Sequence, residues 1–232
     1  DLRFVVGDAV YTSGFTPPEI PVGNTNASLY LPFDNAGIFD KTGLNTLTLN
    51  GDVATSTTQT KFADTSMYFG GGDYITQSGS GQFAVGTGDF TAEFWYYEST
   101  GTSGNKSIFD TRSAAGSTDG FLMQRYDTNN FRMYTNANIV TANLPAKDSW
   151  NHYAIARENG TVRLFINGVL EDSAANSQNF TNTTAIIGNN VNFSQSMVGY
   201  LEGVQFISGV AKYTANFTPP TQEQGITYQA ES

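Results

Sequence analysis

At 232 residues the chain is longer than a typical domain of about 100–150 residues, yet within the size that a β-sandwich reaches as one unit. Only 14% of residues are charged, against 24 glycines, 29 threonines and 21 asparagines, which excludes a helical bundle; 17 Phe, 12 Tyr and 2 Trp require a packed core and exclude wholesale disorder. A formal charge of −10 with no basic run argues against nucleic acid as a partner, no apolar run approaches the roughly 18 residues of a membrane span, and the absence of cysteine removes disulfides, thiolate chemistry and cysteine-held metals.

Turn signals recur along the chain, and the runs between them alternate or are rich in β-branched and aromatic residues, so the elements expected are strands. In chain order they are Ser28–Phe33, Thr46–Asn50, Ser66–Phe69, Tyr74–Gln77, Phe90–Glu98, Lys106–Thr111, Phe121–Tyr126, Phe131–Tyr134, Trp150–Arg157, Val162–Ile166, Val169–Asp172, Ala185–Gly188 and Tyr200–Ile207. One helical turn is expected near Gln82–Val85, closed by Gly86. Asn159-Gly160 and Asn167-Gly168 each read as a tight hairpin, because both central positions of such a turn need positive φ. In the strand between them Val162, Leu164 and Ile166 should face the core, with Arg163 and Phe165 opposite. Trp95 and Trp150, each in an apolar strand, are expected to be largely buried.

Residues 1–18 (DLRFVVGDAVYTSGFTPP) align with residues 203–220 (GVQFISGVAKYTANFTPP) at a constant offset of 202, with nine of eighteen positions identical. A period that long suits a tandem array of whole domains rather than a solenoid. Residues 1–18 are therefore read as the closing strand and linker of a preceding repeat, or as a strand donated to a neighbour. Residues 19–220 are read as one domain and 221–232 as a linker or tail, with the Thr-Pro-Pro segments as extended spacers at the boundaries. The chain starts at Asp1 with neither methionine nor a charged-then-apolar leader, so it reads as a processed product or as part of something longer.

The segments SLYLPFDN (28–35), SMYFGGGDYIT (66–76), GDFTAEFWYY (88–97), WNHYAIARENGTVRLFINGV (150–169) and GYLEGVQFISGVAKYTANFTPP (199–220) resemble, in this order, the concanavalin A-like jelly rolls of the laminin-G-like type. They are most similar to the version found in tandem in virion proteins of bacterial viruses, as tail fibre or capsid decoration, and in bacterial surface proteins. The resemblance implies an all-β, antiparallel two-sheet jelly-roll sandwich with very little helix. It implies a non-enzymatic structural or adhesion module of a virion or cell surface, with glycans or host surface polysaccharide and neighbouring copies of the same domain as partners. A carbohydrate-binding domain attached to a glycan-degrading enzyme, and a filament subunit joined by strand exchange, are the alternatives.

Glycosidases of related jelly rolls need two carboxylates converging on one bond. Here Glu93 and Glu98 fall on opposite sides of an ideal strand, so no hydrolysis is expected, and Gln substitution of either should have only modest effects on stability. The lone His152 shares a face with Trp150 and is expected to pack beside a tryptophan, with no G-x-S-x-G elbow to partner it. No cofactor is required by these residues. Calcium is the metal that oxygen donors here would suit, with Asp34, Asn35, Asp64, Asp73 and the Asn189-Asn190 loop as candidate ligands. For a sugar ligand the candidates are Trp95, Tyr97, Arg125, Tyr126, Arg132 and Tyr134, rings and planar polar groups on strands whose outward faces could form a shallow platform.

Overall fold

The computed structural model describes residues 2–4, 29–31, 38–40, 44–62, 64–79 and 81–221. In chain order the strands are β1 (Leu2–Phe4), β2 (Leu29–Leu31), β3 (Asn45–Asn50), β4 (Ala54–Ser56), β5 (Ser66–Phe69), β6 (Tyr74–Gly79), β7 (Phe90–Tyr97) and β8 (Lys106–Asp110). They continue with β9 (Leu122–Tyr126), β10 (Asn130–Tyr134), β11 (Asn138–Asn143), β12 (Trp150–Glu158), β13 (Thr161–Ile166), β14 (Val169–Ala175), β15 (Ala185–Ile187) and β16 (Gly199–Ser208). No helix of the described residues is long and apolar enough to cross a membrane.

Two compact units divide the chain between Gly37 and Ile38. In the first, β1 and β2 form a two-stranded antiparallel sheet in which Leu2 faces Leu31, Arg3 faces Tyr30 and Phe4 faces Leu29. The first Thr-Pro-Pro segment lies outside the described residues.

The second unit is the sandwich. One sheet runs β11-β10-β9-β8-β15-β6-β3 and the other β14-β13-β12-β7-β16-β5-β4, seven strands each, all neighbours antiparallel. The side chains that alternate inward from both sheets make one core, in which Phe90 stacks on Phe121 at 5.0 Å, Phe94 on Tyr153 at 5.7 Å, and Phe131 lies 4.5 Å from Tyr153. Burial of such rings supplies most of the drive to fold, at roughly 1.5–3 kcal/mol for each fully buried large side chain.

Both predicted hairpins are present, with Asn159 and Gly160 at φ 48° and 74° and Asn167 and Gly168 at 52° and 80°. Val162, Leu164 and Ile166 face the core. The expected helical turn at Gln82–Val85 is instead an irregular turn in which Ala84 N–H donates to Gly81 O and Val85 N–H to Phe83 O. Gly81 and Gly86 take positive φ on either side of it, so no helical run continues, and Phe83 is drawn in against Phe109 and Phe206. Two strands were not expected at all. Ala54–Ser56 is short and polar, and Asn138–Asn143 (NIVTAN) places only three apolar residues between asparagines, so neither carries a strong alternation signal.

Candidate functional site

The outer face of the β7 sheet differs from an ordinary solvated face. Residues 91, 93, 95 and 97 point away from the core, yet Thr91, Glu93 and Trp95 are buried. What covers Thr91 and Glu93 is the segment after β16. Its Tyr213 and Phe217 rings stack at 3.5 Å, nearly parallel at 4°, and rest with Ala211 on Ala154, Ala156 and Phe165. The Y-T-x-x-F spacing at 213–217 thus has a packing role: both rings fill one apolar seat on β12 and β13. Phe165, predicted to point away from the core, is fully buried because of this second cluster.

Polar groups lock the segment down. Glu93, 2% exposed, accepts hydrogen bonds from Tyr213 OH at 2.8 Å and Lys212 Nζ at 2.6 Å, and lies 3.1 Å from His152 Nε2. Burial acts to raise the pKa of Glu93, but the hydrogen bonds and charges of His152 and Lys212 outweigh it and hold the carboxyl below its ordinary 4.5. Burial and the neighbouring Glu93 charge push the Tyr213 phenol upward. His152 packs 5.1 Å from Trp95 and 5.7 Å from Phe217, in the ring-packed setting expected for it. The Asn167-Gly168 turn is fixed from two directions: its φ favours glycine, and a Cβ on Gly168 would overlap the Phe217 carbonyl, whose own N–H donates to Gly168 O. Gly168→Ala is expected to cost at least about 2 kcal/mol from backbone strain and displacement of the segment, read as a fall in melting temperature.

Beyond this seat the same face carries a ladder of rings. Trp150 on β12, Tyr97 on β7, Tyr200 on β16 and Tyr68 on β5 are cross-strand partners in register. Their rings lie 5.8 Å (Trp150–Tyr97), 5.9 Å (Tyr97–Tyr200) and 5.0 Å (Tyr200–Tyr68) apart, and all four are partly exposed. Trp150 also lines an open groove of about 410 Å³ with Lys61, Phe62, Trp95, Asn167 and the 218–221 segment. Lys61 Nζ stands 4.1 Å over the Trp95 ring, and the Phe62 ring meets that indole edge-on at 5.6 Å. Both indole N–H groups, of Trp95 and Trp150, are buried with no hydrogen-bond partner among the described residues. The loop bearing Lys61 and Phe62 is held by the Glu202 carboxylate, which accepts both backbone N–H groups at 2.7 and 2.8 Å.

The sugar candidates read from the sequence separate into three environments. Trp95 and Tyr97 lie at this groove and ladder. Tyr126, Arg132 and Tyr134 lie together on the outer face of the opposite sheet, where the Arg132 guanidinium is stacked 3.6 Å from Tyr126 and 4.4 Å from Tyr134 and is bonded to Gln124 and Asn138. Arg125 faces inward: fully buried, it pairs with Glu98 at 2.8 Å and donates to the carbonyls of Gly104, Asp127 and Thr128. Sequence reasoning missed Trp150, Lys61, Phe62, Tyr68 and Tyr200 as site residues. Trp95 is buried and Trp150 only partly exposed, as expected for both indoles, and Trp150 shares the groove wall with Pro219 and Pro220.

Of the calcium candidates, Asp34 and Asn35 lie outside the described residues. Asp73 is buried and spends its carboxylate on the N–H groups of Asp52 and Gly70, shaping a turn. Asp64 is exposed, and the Asn189 and Asn190 side-chain oxygens accept N–H groups of their own loop. No group of three or more acidic or histidine side chains that could hold a metal occurs among the described residues. Glu93 and Glu98 do face opposite sides of β7, but the modest role expected of them is corrected: each is a buried carboxylate satisfied by cationic partners.

These features sit on a recognised scaffold. A laminin-G family model, described as the concanavalin A-like lectin/glucanases superfamily, matches residues 69–212, and the chain belongs to that superfamily. The fold is similar to that of the botulinum neurotoxin serotype D binding domain, with a TM-score of 0.57 and 15% identity over 73% of this chain and 45% of that one. It is similar to the binding domain of botulinum neurotoxin DC in complex with SialylT (TM-score 0.56, 12% identity, 74% and 45% covered). It is also similar to mouse laminin alpha1 chain domains LG4-5 (TM-score 0.50, 16% identity, 61% and 40% covered). The chain spans less than half the length of these structures. No curated protein matches it in sequence.

Proposed function

We propose that this chain is a non-enzymatic glycan-binding module that works at a surface, as one of several like repeats in a virion or bacterial surface protein, and that the ligand lies along the Trp150–Tyr97–Tyr200–Tyr68 ladder. The ladder carries the reading. Four partly exposed rings in cross-strand register offer successive apolar faces to sugar rings, and the adjoining groove adds the Lys61 ammonium for hydroxyl or carboxylate groups. The complex of the similar toxin domain with SialylT supports a sugar as the ligand class. The surface setting follows the resemblance of the motifs to virion and bacterial surface repeats. A binding rather than a hydrolytic role is supported by the placement of Glu93, on the outer face of β7, and Glu98, just beyond β7 and turned inward to Arg125, on opposite sides of the sheet, each locked in ion pairs.

A glycan array tests it. Wild-type protein is expected to retain a defined set of glycans, and Trp150→Ala and Tyr200→Ala to lose it while melting cooperatively. Tyr126→Ala and Tyr134→Ala, on the opposite sheet, are expected to keep it. Retention that survives the first pair and is lost with the second would move the site to the other face.

A further inference from the structure

Buried acids and guanidiniums of the sandwich are met by partners that use them up, with one exception. Glu93, Glu98 and Asp110 each have a cation at 2.6–2.8 Å. Arg157, without an acid, places its N–H groups on the carbonyls of Gly86, Gly88 and Gln178 and on the Asn176 amide. Arg132, on β10, is left with less. It is only 9% exposed, yet its hydrogen-bond acceptors are two neutral amides, those of Gln124 and Asn138. Asp127, whose charge reaches it, turns its own carboxylate to Asn129 and Asn130. Burial holds the pKa of Arg132 below that of an ordinary arginine, as expected of a guanidinium short of a counter-charge.

A guanidinium has five N–H donors. Here Nε and Nη2 each give one to Gln124 Oε1, at 2.9 and 2.7 Å, and Nη1 gives one to Asn138 Oδ1 at 2.6 Å. One N–H remains on each terminal nitrogen, and such a pair suits the two oxygens of a carboxylate. The plane is already set, because the Tyr126 and Tyr134 rings lie 3.6 and 4.4 Å from the guanidinium carbon. Little freedom is therefore lost when a ligand arrives. Arg112, 5.5 Å from the Tyr134 ring, is neutralised by Asp110, so the unmatched charge belongs to Arg132. We infer that Arg132 anchors a second ligand site, on the outer face of the β9–β10 sheet, which takes the carboxylate of an acidic sugar residue of the hexuronate class. Tyr126, Asn130 and Tyr134 are partly exposed and Asn138 is exposed, so hydroxyl and amide groups surround the cation and suit the sugar's own hydroxyls. The site is independent of the aromatic ladder on the other sheet. One charged contact gives weak binding, with a Kd on the order of 1 mM, which is read in solution and does not hold a glycan on an array.

Amide NMR spectra of the full chain, titrated with methyl galacturonoside, are expected to shift saturably at residues 124–126, 130–134 and 138, and not at Tyr97 or Tyr200. The methyl ester of the same sugar, which lacks the charge, and acetate, which lacks the ring, should each bind roughly tenfold more weakly. Arg132→Lys keeps the charge but loses the fork and should weaken binding by a similar factor, whereas Tyr200→Ala should leave it unchanged. Absence of saturable shifts in the wild type would overturn the inference, as would equal binding of the acid and its ester, or of the acid and acetate. Undiminished binding by Arg132→Lys would overturn it too, and the wild-type comparison of acid with ester decides even if that variant fails to fold. A ladder that binds no glycan leaves these shifts expected, and their absence leaves the ladder reading standing.

Discussion

Arg125→Ala is expected to destabilise the sandwich by about 3–5 kcal/mol, the cost of breaking a buried ion pair from one side. Arg125, on β9, is fully buried and reaches across to Glu98, just beyond β7 in the opposite sheet, so it ties the two layers together at this end of the core. Its remaining donors satisfy the carbonyls of Gly104, Asp127 and Thr128. Removing the guanidinium leaves three carbonyls without that donor and a buried carboxylate with Lys147, 3.3 Å away and 34% exposed, as its remaining cation. For a domain of this size the loss corresponds to a drop in melting temperature of roughly 10 °C. Lys147→Ala should cost about 1 kcal/mol or less, since that partner is partly screened by solvent. Calorimetric melts of the two variants decide the matter: equal, small shifts would mean that Arg125 is not the principal partner of Glu98.

Glu93→Gln should show the second-largest effect, about 2–3 kcal/mol near neutral pH, and it should depend on pH. The carboxylate gathers Lys212, His152 and Tyr213 from two elements, and an amide in its place offers one acceptor and two donors to groups that themselves donate. Glu93 is held below its ordinary value of 4.5 in the folded protein. A group with a depressed folded pKa contributes stability that is present above its unfolded pKa and disappears as pH falls through the folded value. The gap between wild-type and Glu93→Gln urea midpoints should therefore be full at about pH 6 and above and close as pH drops below about 4. A gap that stays constant over that range would show that the carboxylate charge does not hold the 211–217 segment.

Much of the sandwich is legible in the residues. Strand positions follow from Phe90–Tyr97, Trp150–Arg157 and Tyr200–Ile207, where apolar and aromatic runs are bounded by glycine and asparagine, and the Asn-Gly pairs locate both turns because few other dipeptides tolerate two positive φ values. The face proposed for the ligand is less legible, because it is assembled from positions 61–62, 68, 95–97, 150, 200 and 218–221, which only the sheet order β12-β7-β16-β5 brings side by side. Alternation tells that Trp95 and Tyr97 share a face; it does not tell that Trp150 and Tyr200 are their neighbours across the ladder. Arg125 illustrates the opposite difficulty. It looks like a surface guanidinium on a mixed strand, and its inward orientation depends on the pairing of a single carboxylate in the other sheet. The Thr-Pro-Pro at 218–220 reads as a spacer, yet Pro219 and Pro220 form one wall of the groove.

Tryptophan emission offers the most direct measurement of the central claim, because the chain has only two indoles, Trp95 and Trp150, and both line the groove beside the ladder. Titration with a glycan retained on the array should change the intensity or wavelength of that emission in a saturable way, and the change should vanish in Tyr200→Ala, which keeps both indoles but breaks the ladder. Saturable binding of the same glycan, confirmed by calorimetry, with emission unaltered throughout would contradict the placement of the ligand on this face.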